Sequence, residues 1–333
     1  VQTVPVKMHS LFNLAMNFLV KVSHSTVVLC SATQPDLKSE KQEHKLISDE
    51  KNIIADNEIA IYKNVFKRNN IIDKGICRFE NIPELVSEMI FKYNSILVVC
   101  NTKSESSKLY SIMSEKISDN TIKKYHLSAS MCIQHRRDVI EELKKSLLNK
   151  EKVICISTQV IEAGVDIDMD IVYRDFAPLD SINQTAGRAN RNGIGVRGIV
   201  KLYKIVGENG SRLCNYIYPR YLLNTTEEIL EDKQIIEEKD IYDCNLEYFS
   251  KVKKRISNDK SDELLKLIDK LELKKFRNKF ELIENDEFRK EDIIINADEI
   301  SDSIINELSN GTDFDNIELK NKFRILRQYT VSI

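Results

Sequence analysis

Two hydrophobic rhythms divide the chain. From about residue 95 to 205, short apolar and β-branched runs alternate with longer amphipathic stretches; after about residue 207, apolar positions recur at i, i+3 and i+4. The first rhythm predicts strands at Ser95–Cys100 (SILVVC), Lys123–Leu127, Val153–Ser157 (VICIS), Asp170–Arg174 and Gly198–Ile205 (GIVKLYKI), with a helix over Ile133–Leu148. Strands that alternate with helices imply an α/β layer on a parallel sheet. Upstream, residues 4–22 read as an amphipathic helix, Thr26–Cys30 as a buried strand stopped by Pro35, and Ile82–Tyr93 as a helix. Residues 36–80 read as a polar connector with a short strand at Glu58–Tyr62. Downstream, helices are expected over Thr225–Lys239, Leu246–Ile256 and Asp262–Leu282, with Leu264, Leu267, Ile268 and Leu271 as a core stripe. The end, Phe323–Ile333, has strand character.

The turns between these elements hold the candidate chemistry. Ser95–Cys100 runs into Asn101-Thr102-Lys103 before a helix from Ser104, and Val153–Ser157 runs into Thr158-Gln159. Such strand ends are where doubly wound sheets bind ligands, and Thr102 or Ser104 can equally cap an ordinary helix start. After Pro178, Asp180 and Ser181 can cap a helix, and Gly193 lies just past its expected end. On that helix Gln184, Arg188 and Arg191 are spaced i, i+4, i+7 and share a face, while Gly187 lets backbone or phosphate approach closely. With Asp166 one loop away, this set suits a triphosphate: guanidinium groups stabilise charge on a transferring phosphoryl and a Gln can orient the attacking water. Paired arginines on a helix also fit a solvated face, and spacing alone leaves both readings open. His126, at the end of its strand, reads as a structural histidine, and Arg136-Arg137 and Lys251, Lys253, Lys254, Arg255 as basic helix surfaces.

Composition narrows the class. Over 333 residues, 42% hydrophobic and 31% charged describes a globular protein long enough for two cores. A formal charge of −2 supplies no global basic field, so nucleic-acid binding has to come from local patches. The seven cysteines form no CxxC pair, and Cys30, Cys100 and Cys155 sit in apolar runs, which fits core thiols in a reducing cytoplasm. No apolar run reaches membrane-spanning length; Leu11–Val22 is interrupted by Asn13, Asn17 and Lys21. The sequence contains no GxxxxGK[ST] phosphate loop, and its Asp-Glu pairs lie in polar helical surroundings.

Three segments carry a resemblance to a known family. STQVIEAGVDID resembles motif V of superfamily 2 helicases, QTAGRANRNG resembles motif VI, and SAT at Ser31–Thr33 resembles motif III. More narrowly, SATQP, YRDFAPLDSINQTAGR and the Asn-Arg of GRANRNG resemble the helicase part of the CRISPR-associated helicase-nuclease of type I systems. RNA helicases of the DEAH type, which more often carry Gly where Asn190 stands, are the second choice.

The resemblance implies a RecA-like doubly wound parallel-sheet domain, the second of a helicase motor, over residues 95–206. It implies the tail of a first RecA-like domain over 1–35, a connector and the start of the second domain over 36–94, and a mainly helical linker and accessory C-terminal region over 207–333. It implies that Arg188 and Arg191 reach the γ-phosphate of ATP, with Gln184 near the attacking water and Gly164 and Asp166 at the nucleotide. Asn101, Thr102, His126, Thr158 and Gln159 would touch the nucleic-acid backbone, and Ser31 and Thr33 would couple ATP state to grip. Mg²⁺ would be held mainly by the acidic box of the first domain, which, like the nuclease, is expected on an N-terminal half outside this sequence; its beginning at Val1 and its abrupt end suggest a longer parent. The implied partners are single-stranded DNA, a CRISPR surveillance complex and that N-terminal half. A non-catalytic binding fragment is the alternative from a different class.

Overall fold

The computed structural model describes residues 4, 8–29, 54, 56–65, 67–194, 197–231, 233–255, 259–280, 291–310 and 314–332. Its elements in chain order begin with α1 (His9–Lys21), α2 (Asp56–Val65), β1 (Asn69–Arg78), α3 (Ile82–Met89), β2 (Ser95–Val99), α4 (Lys103–Lys116) and β3 (Ile122–Leu127). They continue with α5 (Ile133–Leu148), β4 (Lys152–Ser157), β5 (Ile171–Asp175), α6 (Leu179–Ala186), β6 (Gly198–Val206) and α7 (Arg220–Leu230). The remainder is β7 (Ile235–Glu237), α8 (Glu238–Arg255), α9 (Asp259–Asp269), α10 (Leu273–Lys279), β8 (Asp292–Ile294), α11 (Glu299–Ser309), α12 (Asn316–Leu326) and β9 (Thr330–Ser332). No helix among the described residues is long and apolar enough to cross a membrane.

The chain forms two compact units. One comprises Arg68–Ala177, Ser181–Tyr218 and Phe288–Ile333. Within it six strands lie in the order β3-β4-β2-β5-β6-β1, all parallel to their neighbours. Successive strand residues point to opposite faces, and here both faces are covered. Ile96, Val98, Ile154, Ile156, Ile171 and Tyr173 pack with Val86, Leu109 and Met113 of α3 and α4. The alternate residues Leu97, Val99, Val153, Cys155, Val172, Val200 and Leu202 are buried as well. That explains why SILVVC and VICIS are continuous apolar runs without alternation. In the same unit β8 and β9 pair antiparallel, and Tyr329 Oη donates to Asp298 at the start of α11. The fold is thus the expected α/β, doubly wound parallel-sheet architecture with helices after it.

The other unit comprises Val1–Lys67, Pro178–Asp180 and Pro219–Glu287. Met8 and Leu11 pack there against Leu264 and Leu265, with Leu14, Leu267, Ile268 and Phe276 around them.

Several expected elements differ from the observed ones. Residues 26–29 form no strand and are exposed or half-buried: an apolar run without a neighbouring strand has no ladder to join. Glu58–Tyr62 lies inside α2, where Glu58 precedes Lys63 in the last turn, the charge order a helix favours. Thr225–Lys239 is not one helix: α7 stops at Leu230, the consecutive β-branched Ile235 and Ile236 form β7, and Glu238 and Asp240 open α8. The 262–282 helix is broken after Asp269. Leu271 takes φ +59°, and the N–H groups of Leu271 and Glu272 donate to Ile268 O and Leu267 O, a helix stop usually given to glycine. Leu271 is consequently 80% exposed and leaves the core stripe. Phe323–Leu326 belongs to α12, which Asp315 and Glu318 cap reciprocally, so only Thr330–Ser332 is strand. Ser31, Thr33 and Cys30 lie outside the described residues.

Candidate functional site

At the end of β2 the chain turns through Asn101 into α4. The Thr102 hydroxyl accepts from Glu105 N, and the Glu105 carboxylate accepts from the N–H groups of Asn101 (3.1 Å) and Thr102 (3.4 Å), a reciprocal cap. Asn101 is itself buried. Its amide donates to Asp175 Oδ2 at 2.5 Å and Phe176 O at 2.8 Å, and its Oδ1 accepts from Arg174 Nη1 at 2.7 Å. The Asn101 side chain is therefore occupied within the protein, and what the turn presents outward is Thr102, which is half-buried.

One strand over, Thr158 and Gln159 leave β4. Thr158 N donates to Leu127 O, while its buried hydroxyl has no partner among the described residues. Gln159 Nε2 donates to Asn101 O at 2.9 Å and to Tyr218 Oη at 3.2 Å. The sequence-predicted set Asn101, Thr102, Thr158 and Gln159 is thus assembled at the adjacent ends of β2 and β4. His126 is set apart on the edge strand β3. Its ring lies 3.1 Å from Ser106 Oγ and stacks on Tyr110 at 5.3 Å, and burial lowers its pKa.

Behind these strand ends lies a buried polar cluster that the sequence reading did not single out. Arg174 is fully buried on β5. Its Nη2 donates to Glu162 Oε1 (3.0 Å), Ser181 Oγ (2.8 Å) and Tyr218 Oη (3.2 Å). Glu162 Oε1 also accepts from Ser181 (2.8 Å) and Thr185 (3.3 Å). Burial alone would lower the Arg174 pKa; Tyr218, Glu162 and Asp175 outweigh it and hold the guanidinium charged. The signal for this cluster was a charged Arg-Asp pair ending an otherwise apolar strand. A buried ion pair needs hydrogen-bond partners, which calls for polar residues such as Ser181 and Thr185 on the facing helix; Arg174 Nε has none among the described residues.

The arginine segment departs from the expected helix. α6 ends at Ala186, and Asp180 and Ser181 lie inside its first turn rather than before it. Gly187 N still donates to Asn183 O as in an α-helix, and Arg188 and Ala189 then close tighter turns, donating to Thr185 O and Ala186 O. Ala189 then pairs with Met169 just before β5: Met169 N donates to Arg188 O, and Asn190 N donates to Met169 O. Asn190 turns through φ +47°, a conformation Gly and Asn tolerate, and its amide donates to Arg68 O. Asp168 accepts from Arg191 N and from both nitrogens of Asn192. Gln184, Arg188 and Arg191 therefore do not share one helix face: Gln184 is half-buried on α6, and both arginines sit in the turn beyond it. The physical reason is local. Gly187 weakens the helix, and the bridge to Met169 satisfies the backbone groups that helix continuation would have used.

In that turn the two arginines still converge on one place. Arg188 is 7% exposed; its Nη2 donates to Glu162 O at 2.6 Å, and its Nε has no partner among the described residues. Burial lowers its pKa, and the charge of Arg191 lowers it further. Arg191 Nε meets Asp166 Oδ1 at 2.5 Å, both side chains being solvent-accessible. Gly164, exposed at φ +76° with open space where a Cβ would point, lies between Glu162 and Asp166. Two cations held close, one with an unused N–H and one paired only at the surface, constitute a receptive site for an anion.

Comparison with known proteins places residues 92–194 in a match to the family described as CRISPR-associated nuclease/helicase Cas3, C-terminal. The CRISPR-associated nuclease/helicase Cas3 of Streptococcus thermophilus is 29% identical over 165 residues, 46% of this chain and 18% of that protein. Its counterpart from Haloferax volcanii is 49% identical over 57 residues, 17% of this chain and 6% of that protein. Among solved structures, the crystal structure of T. fusca Cas3-ATP superposes with a TM-score of 0.50 at 16% identity, covering 64% of this chain and 27% of that one. This likeness is one of fold. The chain spans only about a fifth of the length of the first of these relatives.

Proposed function

We propose that this chain, which belongs to the CRISPR-associated nuclease/helicase Cas3 family as part of its C-terminal helicase portion, supplies the arginine-bearing half of an ATP-driven motor that moves single-stranded DNA. The observation that carries the reading is the Arg188–Arg191 turn. Arg188 is a buried guanidinium with an unused Nε–H beside a second cation, an arrangement that a γ-phosphate would relieve. The Arg191–Asp166 contact is solvent-accessible, so exchanging it for a phosphate costs little.

In this reading Arg188 and Arg191 stabilise charge developing on the transferring phosphoryl, Gln184 helps orient the attacking water, and Gly164 and Asp166 border the nucleotide. Thr102, Thr158 and Gln159 at the strand ends hold the phosphodiester backbone. Asn101 keeps that turn in place from within, His126 flanks it, and Ser31 and Thr33 couple nucleotide state to grip. The phosphate loop and the acidic pair for Mg²⁺ come from a separate half of the motor, so this segment alone does not turn over ATP. Closure on ATP and reopening after hydrolysis, with alternating grip on the backbone, yields movement that does not depend on base sequence. Its setting is cytoplasmic antiviral interference, alongside a CRISPR surveillance complex.

The test is DNA-stimulated ATP hydrolysis by the native full-length polypeptide. Arg188→Ala and Arg191→Ala should each lower turnover by roughly 10³-fold, as loss of an arginine finger does in other NTPases, with single-stranded DNA binding largely kept. Wild-type turnover in both variants would overturn the assignment. Stronger stimulation by RNA than by DNA would redirect it to an RNA motor.

A further inference from the structure

Glu162 faces two ways. Its carboxylate accepts from Arg174, Ser181 and Thr185, and its main-chain carbonyl accepts from Arg188 Nη2 at 2.6 Å. Arg174 in turn holds Asn101 Oδ1 through Nη1 and Tyr218 Oη through Nη2, and Gln159 Nε2 donates to both Asn101 O and Tyr218 Oη. An unbroken run of hydrogen bonds therefore connects Gln159, Tyr218, Arg174, Glu162 and Arg188, with a parallel branch through Asn101. Every contact in it is between 2.6 and 3.2 Å.

We infer that Arg174 and Glu162 are positioning residues that transmit the state of the arginine turn to the strand ends. The inference deepens the motor reading above and rests on it. Arg174 touches neither proposed ligand, and its side chain is fully buried beside a Glu162 carboxylate that is nearly so. Buried ion pairs are weak stabilisers compared with apolar residues of similar volume, so packing alone does not account for a guanidinium here. What an apolar side chain could not do is fix Asn101, Tyr218, Ser181 and Glu162 at once. A planar group with donors in a fixed fork does this, and it makes the positions of those four groups interdependent. When Arg188 swings toward a phosphate it pulls on the Glu162 carbonyl. The carboxylate of the same residue is clamped, so the displacement passes to Arg174 and on to Gln159 instead of dissipating in a loop. A contiguous network of this kind earns the name of coupling only when both ends are shown to bias one another.

The measurement is the factor by which single-stranded DNA stimulates ATP hydrolysis, made on the native full-length polypeptide with an oligo-dT strand. Two variants cut the run with small changes: Tyr218→Phe removes one oxygen, and Glu162→Gln keeps an acceptor but removes the charge facing Arg174. Each should leave DNA affinity in the absence of nucleotide within about threefold of wild type and reduce the stimulation factor about tenfold, in the range of ordinary coupling between sites. A purely structural role would instead lower the melting temperature and leave the stimulation factor unchanged. Full stimulation in Tyr218→Phe and in folded Glu162→Gln would overturn the inference while leaving the motor reading intact. If wild type shows no DNA-stimulated hydrolysis, the motor reading itself fails and the inference falls with it. Should Glu162→Gln not fold, Tyr218→Phe decides the matter alone.

Discussion

Glu105 is 5% exposed at the third position of α4, and its charge helps raise the pKa of Asp175 on β5. Burial is the larger cause: it lifts Glu105 from 4.5 to about 7 against the opposing N–H groups of Thr102 and Asn101, and it raises Asp175 too. The folded state thus keeps a proton on Glu105 that the unfolded chain releases, so stability falls as pH rises through the window from 4.5 to about 7. That gap of about 2.5 pH units corresponds to a few kcal/mol at most. Glu105→Gln keeps an acceptor for the two N–H groups and removes the titration. Denaturant unfolding at both ends of the window should show a flatter pH dependence in the variant; an unchanged slope would refute this. Read from sequence, Asn101-Thr102 was visible as a capped turn at a strand end, and Gln159 as its neighbour. That the Asn101 side chain turns inward was not visible, because its partners Arg174 and Asp175 come 73 and 74 residues later.

At the scale of elements, the buried strands were legible because both faces of a parallel sheet demand apolar residues, while helix ends were not. α6 stops where a bridge to Met169 and a left-handed Asn190 compete with continuation, and neither competitor lies within the helix's own sequence. The same turn makes Gly198, the first residue of β6, a critical position. A Cβ there would lie 2.8 Å from the Ala189 carbonyl carbon and 2.9 Å from its Cβ, and the first of these is backbone that cannot swing aside. Gly198→Ala should therefore destabilise the fold by about 1–3 kcal/mol, as overpacking does, and should displace the arginine turn. Thermal unfolding checks the first expectation. The second is checked by nucleotide affinity, which should weaken in Gly198→Ala but not in Gly75→Ala, whose φ of +74° strains the backbone locally but whose added Cβ would meet nothing within 4 Å. The helical breaks after Leu230 and Asp269 share this cause: apolar spacing continued through them, but a β-branched pair and a left-handed leucine set the backbone instead.

Over the whole molecule the decisive quantity is charge that is free to meet phosphate. The formal charge is −2, and two members of the densest basic cluster are already engaged: Lys251 lies 2.8 Å from Glu247 and 3.9 Å from Glu228, and Arg255 lies 2.5 Å from Glu228. The proposed strand-end contacts, Thr102, Thr158 and Gln159, are uncharged, so they bind a backbone through hydrogen bonds and release no counterions. For a single strand each neutralised phosphate contributes about −0.7 to the slope of log affinity against log salt. With no cation among these contacts the slope should be shallow, no steeper than the roughly −1.5 that two neutralised phosphates would give, unlike a protein that binds through a basic groove. Fluorescence anisotropy of a labelled oligo-dT strand between about 50 and 200 mM salt reads this directly. A slope steeper than about −3 would mean that four or more cations meet the strand, and would transfer the interface from the ends of β2 and β4 to a basic helix surface such as that of Arg136-Arg137 on α5. A shallow slope lost in Thr158→Ala or Gln159→Ala would keep it at the strand ends, where the run of hydrogen bonds to Arg188 begins.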